Sequence, residues 1–164
     1  MDPNIWGPSG WIILHRLSFL FKNIDDAKQF YKSLEYILPC PSCRNNYKAH
    51  STTIKFPKGL DQLPKWVYKM HNKISKSLGK KKGPSFKKVV DHYDQVFDNI
   101  EIVNNETKFL YSLLYTFSKN SKNIKEYVDN LNIFLVCWCK FSNIEYTIIK
   151  NKTNFKKFIC SLSC

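Results

Sequence analysis

Apolar residues recur at three- and four-residue intervals along almost the whole chain, and no stretch alternates as a half-buried strand would. That period restricts the fold to packed helices. Trp11, Leu14, His15 and Ser18 share one face, with Ile12 and Phe19 beside them. This predicts a helix from Pro8 to about Asn23, after a loop over Asn4 to Gly10. A second helix starts at Asp25 or Asp26, good capping residues. It carries Ala27, Phe30, Tyr31, Leu34, Ile37 and Leu38, and Pro39 ends it. A third runs from Pro41 to about His50, and a loop fills Ser51 to Pro64. The fourth, from Pro64 to about Gly79, places Val67, Met70, Ile74 and Leu78 on one side. The fifth begins near Ser85, with Phe86, Val89, Val90, Tyr93, Val96 and Phe97 in period.

Residues 98–105 are polar and read as a linker. Beyond them Phe109, Leu110, Leu113, Leu114 and Phe117 mark a sixth helix, and the run from Ile124 to Trp138 a seventh. The tail from Thr153 has room for one more. The expected architecture is all-α: a four-to-five-helix bundle over residues 1–98 and a small helical C-terminal domain over 106–164. Two helices and a tail cannot bury both faces alone, so the second unit must pack on the first or on another chain.

The six cysteines fall into three close pairs, Cys40/Cys43, Cys137/Cys139 and Cys160/Cys164. Structural bridges usually join distant segments, so close pairs point to redox work or metal binding. In Cys40-Pro41-Ser42-Cys43, Pro41 suits a first helical position with Cys40 as cap. Backbone N–H groups and the helix dipole then face sulfur, which favours thiolate and makes it available for exchange. A zinc site needs two more ligands at good spacing. Cys137 and Cys139 could supply them, but from far along the chain, so the redox reading is preferred and no metal is expected.

The net charge of +13, from 26 Lys and Arg against 13 Asp and Glu, attracts polyanions, phosphate-bearing cofactors or acidic partners without choosing among them. Met1 to Pro8 has no basic segment before an apolar run, so no secretory signal is expected. No apolar stretch is long enough to span a membrane.

Two further groupings bear on the site. Trp6-Gly7-Pro8-Ser9-Gly10-Trp11 is followed by His15, one helical turn beyond Trp11. Gly7 allows close backbone approach to a ligand. Trp66, His71, Asn72, Ser75, Leu78 and Lys80 form the second group, with His71 and Ser75 on one face. His and Asn can bond a purine edge, and Lys80 can meet a phosphate. Between Lys58 and Lys88 ten lysines stand against the single acid Asp61, and most of them simply face solvent.

In this order and spacing, the tryptophan–histidine helix, the CxxC, the W-x4-HN-x2-S-x2-LGK stretch and the aromatic-bearing helix after it resemble the Erv/ALR family of FAD-linked sulfhydryl oxidases. The resemblance covers about residues 4 to 97. It implies a helical bundle holding FAD beside a Cys40–Cys43 disulfide. Gly7, Trp11 and His15 would line the flavin, while His71, Asn72, Ser75 and Lys80 hold the adenine and phosphate end. Tyr93 stands where the family has a ring near the adenine. Cys40, taken as the more accessible sulfur, would receive substrate thiol, and Cys43 would face the flavin. Two electrons would pass through FAD to oxygen, giving hydrogen peroxide. The implied partners are a thiol-containing protein or a thioredoxin-like carrier, molecular oxygen, and a second copy in a homodimer. The expected location is cytoplasmic, or the virion for a viral member, with the mitochondrial intermembrane space as the alternative.

This chain departs from the family in two places. Ser75 replaces the second asparagine of the usual HN-x-VN. No cysteines lie between Cys43 and Cys137, so the disulfide that clamps the fourth helix in many cellular members is missing, as in viral ones. Family members often carry a second, mobile disulfide. Helical residues two apart point to nearly opposite faces, so Cys137 and Cys139 cannot pair within a helix. Cys160 and Cys164 can pair if the last turn frays, and they are the favoured shuttle. A bridge from Cys137 or Cys139 to Cys160 is the rival. Two other functions stay open: a zinc-stabilised basic module binding nucleic acid, and a helical interaction protein in which the CxxC is incidental.

Overall fold

The computed structural model describes residues 1–81, 83–94, 100–117 and 123–162, and every regular element among them is helical. The order is α1 (Pro3–Leu20), α2 (Ile24–Ile37), α3 (Pro41–Thr53), a single 3-10 turn (Leu60–Gln62), α4 (Leu63–Ser77), α5 (Phe86–Asp94), α6 (Ile100–Phe117), α7 (Ile124–Phe141) and α8 (Lys152–Ser161). Val96, Phe97 and Cys164 lie outside the described residues.

Most boundaries follow from capping chemistry. The Asn23 side chain accepts from the N–H groups of Asp25 and Asp26, and those two acids then face the positive end of α2. The expected loop before Pro8 is instead helix. Asp2 accepts from the Asn4 N–H and Pro3 takes a first-turn position, a better start than Pro8 offers. Pro8 is carried inside the second turn of α1, where it has no N–H to give to the Asn4 carbonyl. The linker expected over 98–105 is also corrected, since residues 100–105 are the first turns of α6. Ile100, Ile102 and Val103 stand among Asp98, Glu101, Asn104 and Asn105, a mixture whose short length does not separate a helix start from a loop.

The buried side chains of both halves form one apolar cluster. Of the two packings open to the C-terminal helices, the structure has them on the N-terminal bundle. α7 lies along α2, where Phe134 stacks on Phe30 at 5.0 Å. α6 lies along α1, where Phe109 meets Trp6 at 5.7 Å. A buried polar group seals this contact. Arg16 of α1 donates from Nε and Nη2 to the two carboxylate oxygens of Glu106 at 2.7 and 2.9 Å. The Trp138 indole N–H of α7 donates to the same carboxylate at 2.7 Å. Arg16 also reaches the Phe141 carbonyl and Ser142 Oγ, so all but one of its polar directions are used.

A ladder of tyrosines sets the helices around the CxxC. The Tyr31 hydroxyl on α2 donates to the Leu14 carbonyl on α1 at 2.7 Å. The Tyr47 hydroxyl on α3 donates to the Tyr31 carbonyl at 3.1 Å. Trp66 on α4 donates its indole N–H to the Ile54 carbonyl just past α3 and packs edge-on against Tyr31 and Phe56. These contacts join α4 to the end of α3. No helix among the described residues is long and apolar enough to cross a membrane.

Candidate active site

Cys40 is the N-cap of α3, Pro41 follows at its first turn, and the Cys43 N–H donates to Cys40 Sγ at 3.1 Å. The two sulfurs are joined as a disulfide. Ser42 Oγ lies 3.2 Å from Cys40 Sγ. The expected order of accessibility is reversed: Cys40 is 7% exposed, whereas Cys43 is half-buried.

The disulfide borders a cavity of about 450 Å³. Gly7, Trp11 and His15 line it from α1, and His71, Ser75, Lys80 and Tyr93 from the other side. A second cavity of about 320 Å³ shares His15, His71, Ser75, Lys80 and Tyr93 and adds Asn72. The site residues named from sequence thus come together, with Asn72 bordering only the smaller space. Its side-chain N–H donates to the Tyr68 carbonyl one turn back. A Cβ built on Gly7 would meet nothing within 4 Å, so the backbone there leaves open space for a ligand.

Rings dominate the cavity's middle. Trp11 stacks on His71 with 4.0 Å between centroids and 8° between planes. His15 Nε2 and His71 Nδ1 are 3.0 Å apart, and Tyr93 stacks on His15 at 5.5 Å. One imidazole must donate to the other, so each of these two nitrogens is spoken for. His15 Nδ1 and Trp6 Nε1 are buried without a partner among the described residues. The end of α4 supplies Lys80 through a left-handed cap: Gly79 takes φ +68°, and the Lys80 N–H donates to the Ser75 carbonyl at 2.9 Å. Any L side chain at Gly79 would be strained there. Flat rings, open backbone at Gly7, unpaired buried nitrogens and a cation at one end fit a large planar cofactor bearing phosphates.

Burial first, then His71 beside His15 and Lys80 beside His71, holds both histidines neutral. His15 is lowered to about 3 by burial and by His71, and His71 to about 4 by burial and by Lys80. Burial, with Glu106 behind it, raises the Tyr93 hydroxyl to about 12. An unfolded chain protonates its histidines near ~6.5, so below that pH the unfolded state binds more protons and stability falls with pH. The His15 contribution is complete above about pH 6.5 and is lost at up to about 1.4 kcal/mol per pH unit toward its folded value. Thermal melts of the parent and His15→Phe between about pH 7.5 and about pH 4.5 check this; the variant should have the shallower profile. Equal slopes would mean that His15 is not buried in its neutral form.

The distal cysteines are elsewhere. Cys137 and Cys139 both lie on α7, which continues through Phe141, so that helix keeps them from pairing with each other. Burial raises Cys137 to about 11 and Cys139 to about 12, leaving both as thiols. Cys137 borders a separate cavity of about 360 Å³ with Lys22, Asp26 and Lys140. Cys160 is exposed on α8. Its proposed partner Cys164 lies outside the described residues. Among the described residues no three His, Cys, Asp or Glu side chains gather as metal ligands.

Reading the sequence did not single out Trp6 or Phe109 as cavity residues, although both border the space. Trp6 stands four residues before Gly10, a signal that becomes legible once α1 is known to start at Pro3. Phe109 carries no local signal, because only the docking of α6 brings it there.

The family model for the Erv1/Alr family matches residues 8–95, more than half of the chain. The chain belongs to the Erv1/Alr family. The match contains the CxxC, the Trp11/His15 helix and the His71-to-Lys80 stretch, so the Erv1/Alr segment supplies most of the cavity. Among similar proteins is a probable FAD-linked sulfhydryl oxidase of Acanthamoeba polyphaga mimivirus, 32% identical over 93 residues. That alignment covers 49% of this chain and 64% of the mimivirus protein. A protein of Invertebrate iridescent virus 6, likewise provisionally named a FAD-linked sulfhydryl oxidase, is 29% identical over 94 residues, covering 49% of this chain and 85% of its own length. No solved structure gave a significant match.

Proposed function

We propose that the protein is a FAD-dependent thiol oxidase that forms disulfides in protein substrates through Cys40 and Cys43. The single observation that carries this reading is the disulfide at the wall of a ring-lined cavity, with Cys40 capping α3. Gly7, Trp11 and His15 would hold the flavin portion, and His71, Asn72, Ser75, Lys80 and Tyr93 the adenine and phosphate portion. Residues 1–98 would form the oxidase unit, and residues 106–164 would brace it.

A substrate thiolate attacks one sulfur of the pair and the other leaves as thiolate, giving a mixed disulfide. The second substrate thiol displaces the first bond, releasing an oxidised product and a Cys40/Cys43 dithiol. Two electrons and two protons have then moved to the protein. Wherever Cys40 is the leaving sulfur, the Cys43 N–H at the start of α3 stabilises its negative charge. FAD, when bound there, would supply a two-electron acceptor for the Cys40/Cys43 dithiol, with oxygen as the final acceptor and hydrogen peroxide as the product. Trp11, His71 and Tyr93 would exclude water from a ring held in the cavity, and the neutral histidine pair would add no charge there. Cys160 and Cys164 are the proposed shuttle from a substrate or a thioredoxin-like carrier, and light scattering would reveal whether two copies associate.

The test is the purified protein itself. It is expected to be yellow, to hold close to one FAD per chain, and to consume oxygen on addition of a dithiol. Colourless protein that binds no added FAD and holds zinc would instead favour the basic nucleic-acid-binding module.

A further inference from the structure

The family match ends at residue 95, yet the cavity wall does not. Phe109, on α6, borders the same space as Cys43 and Gly7. Its ring lies 5.7 Å from that of Trp6, and its Cδ2 and Cε2 are 3.2 and 3.3 Å from where a Cβ on Gly10 would stand. Glycine at that position therefore serves the approach of α6: α1 presents a bare backbone, and the Phe109 ring fills the space over it. Glu106, one turn earlier, is fully buried and holds α6 to Arg16, the residue after His15. The helix that delivers Phe109 is thus fixed to the helix that delivers Gly7, Trp11 and His15.

We propose that α6 is part of the flavin site, with Phe109 as a cofactor-binding residue contributed by the segment beyond the family match. This inference rests on the functional reading above. It gives α6 of the C-terminal segment a role in holding the cofactor. Phe109 makes an apolar contact at the wall formed with Trp6, and its ring keeps solvent from entering between α1 and α6.

The experiment compares matched substitutions in the full-length protein. Phe109→Leu and Phe155→Leu each remove a fully buried ring, one from the cavity wall and one from α8, away from it. FAD is removed, each apo-protein is titrated with FAD, and binding is read from flavin fluorescence, with apo melting temperatures measured alongside. Phe109→Leu is expected to raise the FAD Kd about tenfold, or about 1.4 kcal/mol. Phe109→Ala should raise it further. Phe155→Leu should lower the melting temperature while leaving the Kd within about twofold of the parent. Parent-like FAD affinity in both Phe109 variants, or equal losses in the Phe109 and Phe155 variants, would overturn the inference alone. A parent that binds no FAD would overturn the functional reading and this inference together.

Discussion

Cys43→Ser is expected to abolish dithiol-driven oxygen consumption, by a factor on the order of 10⁴ or more, while the protein stays yellow. Neither exchange can be completed by a lone Cys40, because the intramolecular disulfide that the substrate attacks no longer exists. Residues that act as a unit lose nearly all their effect when one is removed, which sets the scale. Cofactor retention should survive, since Cys43 is one of many side chains around the cavity and serine preserves its shape. Cys40→Ser should fail in the same way. Oxygen electrode traces and the flavin absorbance of the two variants are the measurements. Turnover near that of the parent in either would remove the Cys40–Cys43 pair from the electron path.

Glu106→Ala should cost about 3–5 kcal/mol of stability, because it leaves the Arg16 guanidinium buried without its counter-charge. It also strips the Trp138 indole N–H of its acceptor. For a chain of this size each kcal/mol moves the melting temperature by about 2–4 °C, so the drop should be roughly 10 °C. Replacing both members, Arg16→Met with Glu106→Leu, should recover much of the loss, since no ion is then buried. The indole would still lack a partner, so recovery should be incomplete. A Glu106→Ala protein melting within about 2 °C of the parent would mean that Arg16 finds water, and that the contact between α1 and α6 is looser than described.

Much of the site is local in sequence. Pro41 after Cys40 announces a capped helix start, and Trp11 with His15, or His71 with Ser75, share a face because the helical period requires it. Gly79 before Lys80 is equally readable, since the cap needs a residue tolerant of positive φ. Accessibility of the two sulfurs was not readable, because it depends on how α3 is seated against the end of α2. The start of α1 is hidden for a different reason: two prolines and two glycines within a few residues resemble a loop until the Asp2 cap is taken into account. Residues 100–105 read as a linker because six residues are too few to show a helical period on their own.

The chain's own pattern therefore determined that it is helical, that its reactive sulfurs share one helix start, and which rings accompany them. Those properties depend on neighbours within a turn or two, and the period of the helix transmits them directly. Tertiary packing decided that α6 closes over Gly10, that Glu106 meets Arg16 across 90 residues of chain, and that two imidazoles face each other at 3.0 Å. Nothing local encodes such meetings. They arise because apolar faces on separate helices have only each other to exclude water against, and the few polar groups carried inward must then find partners there.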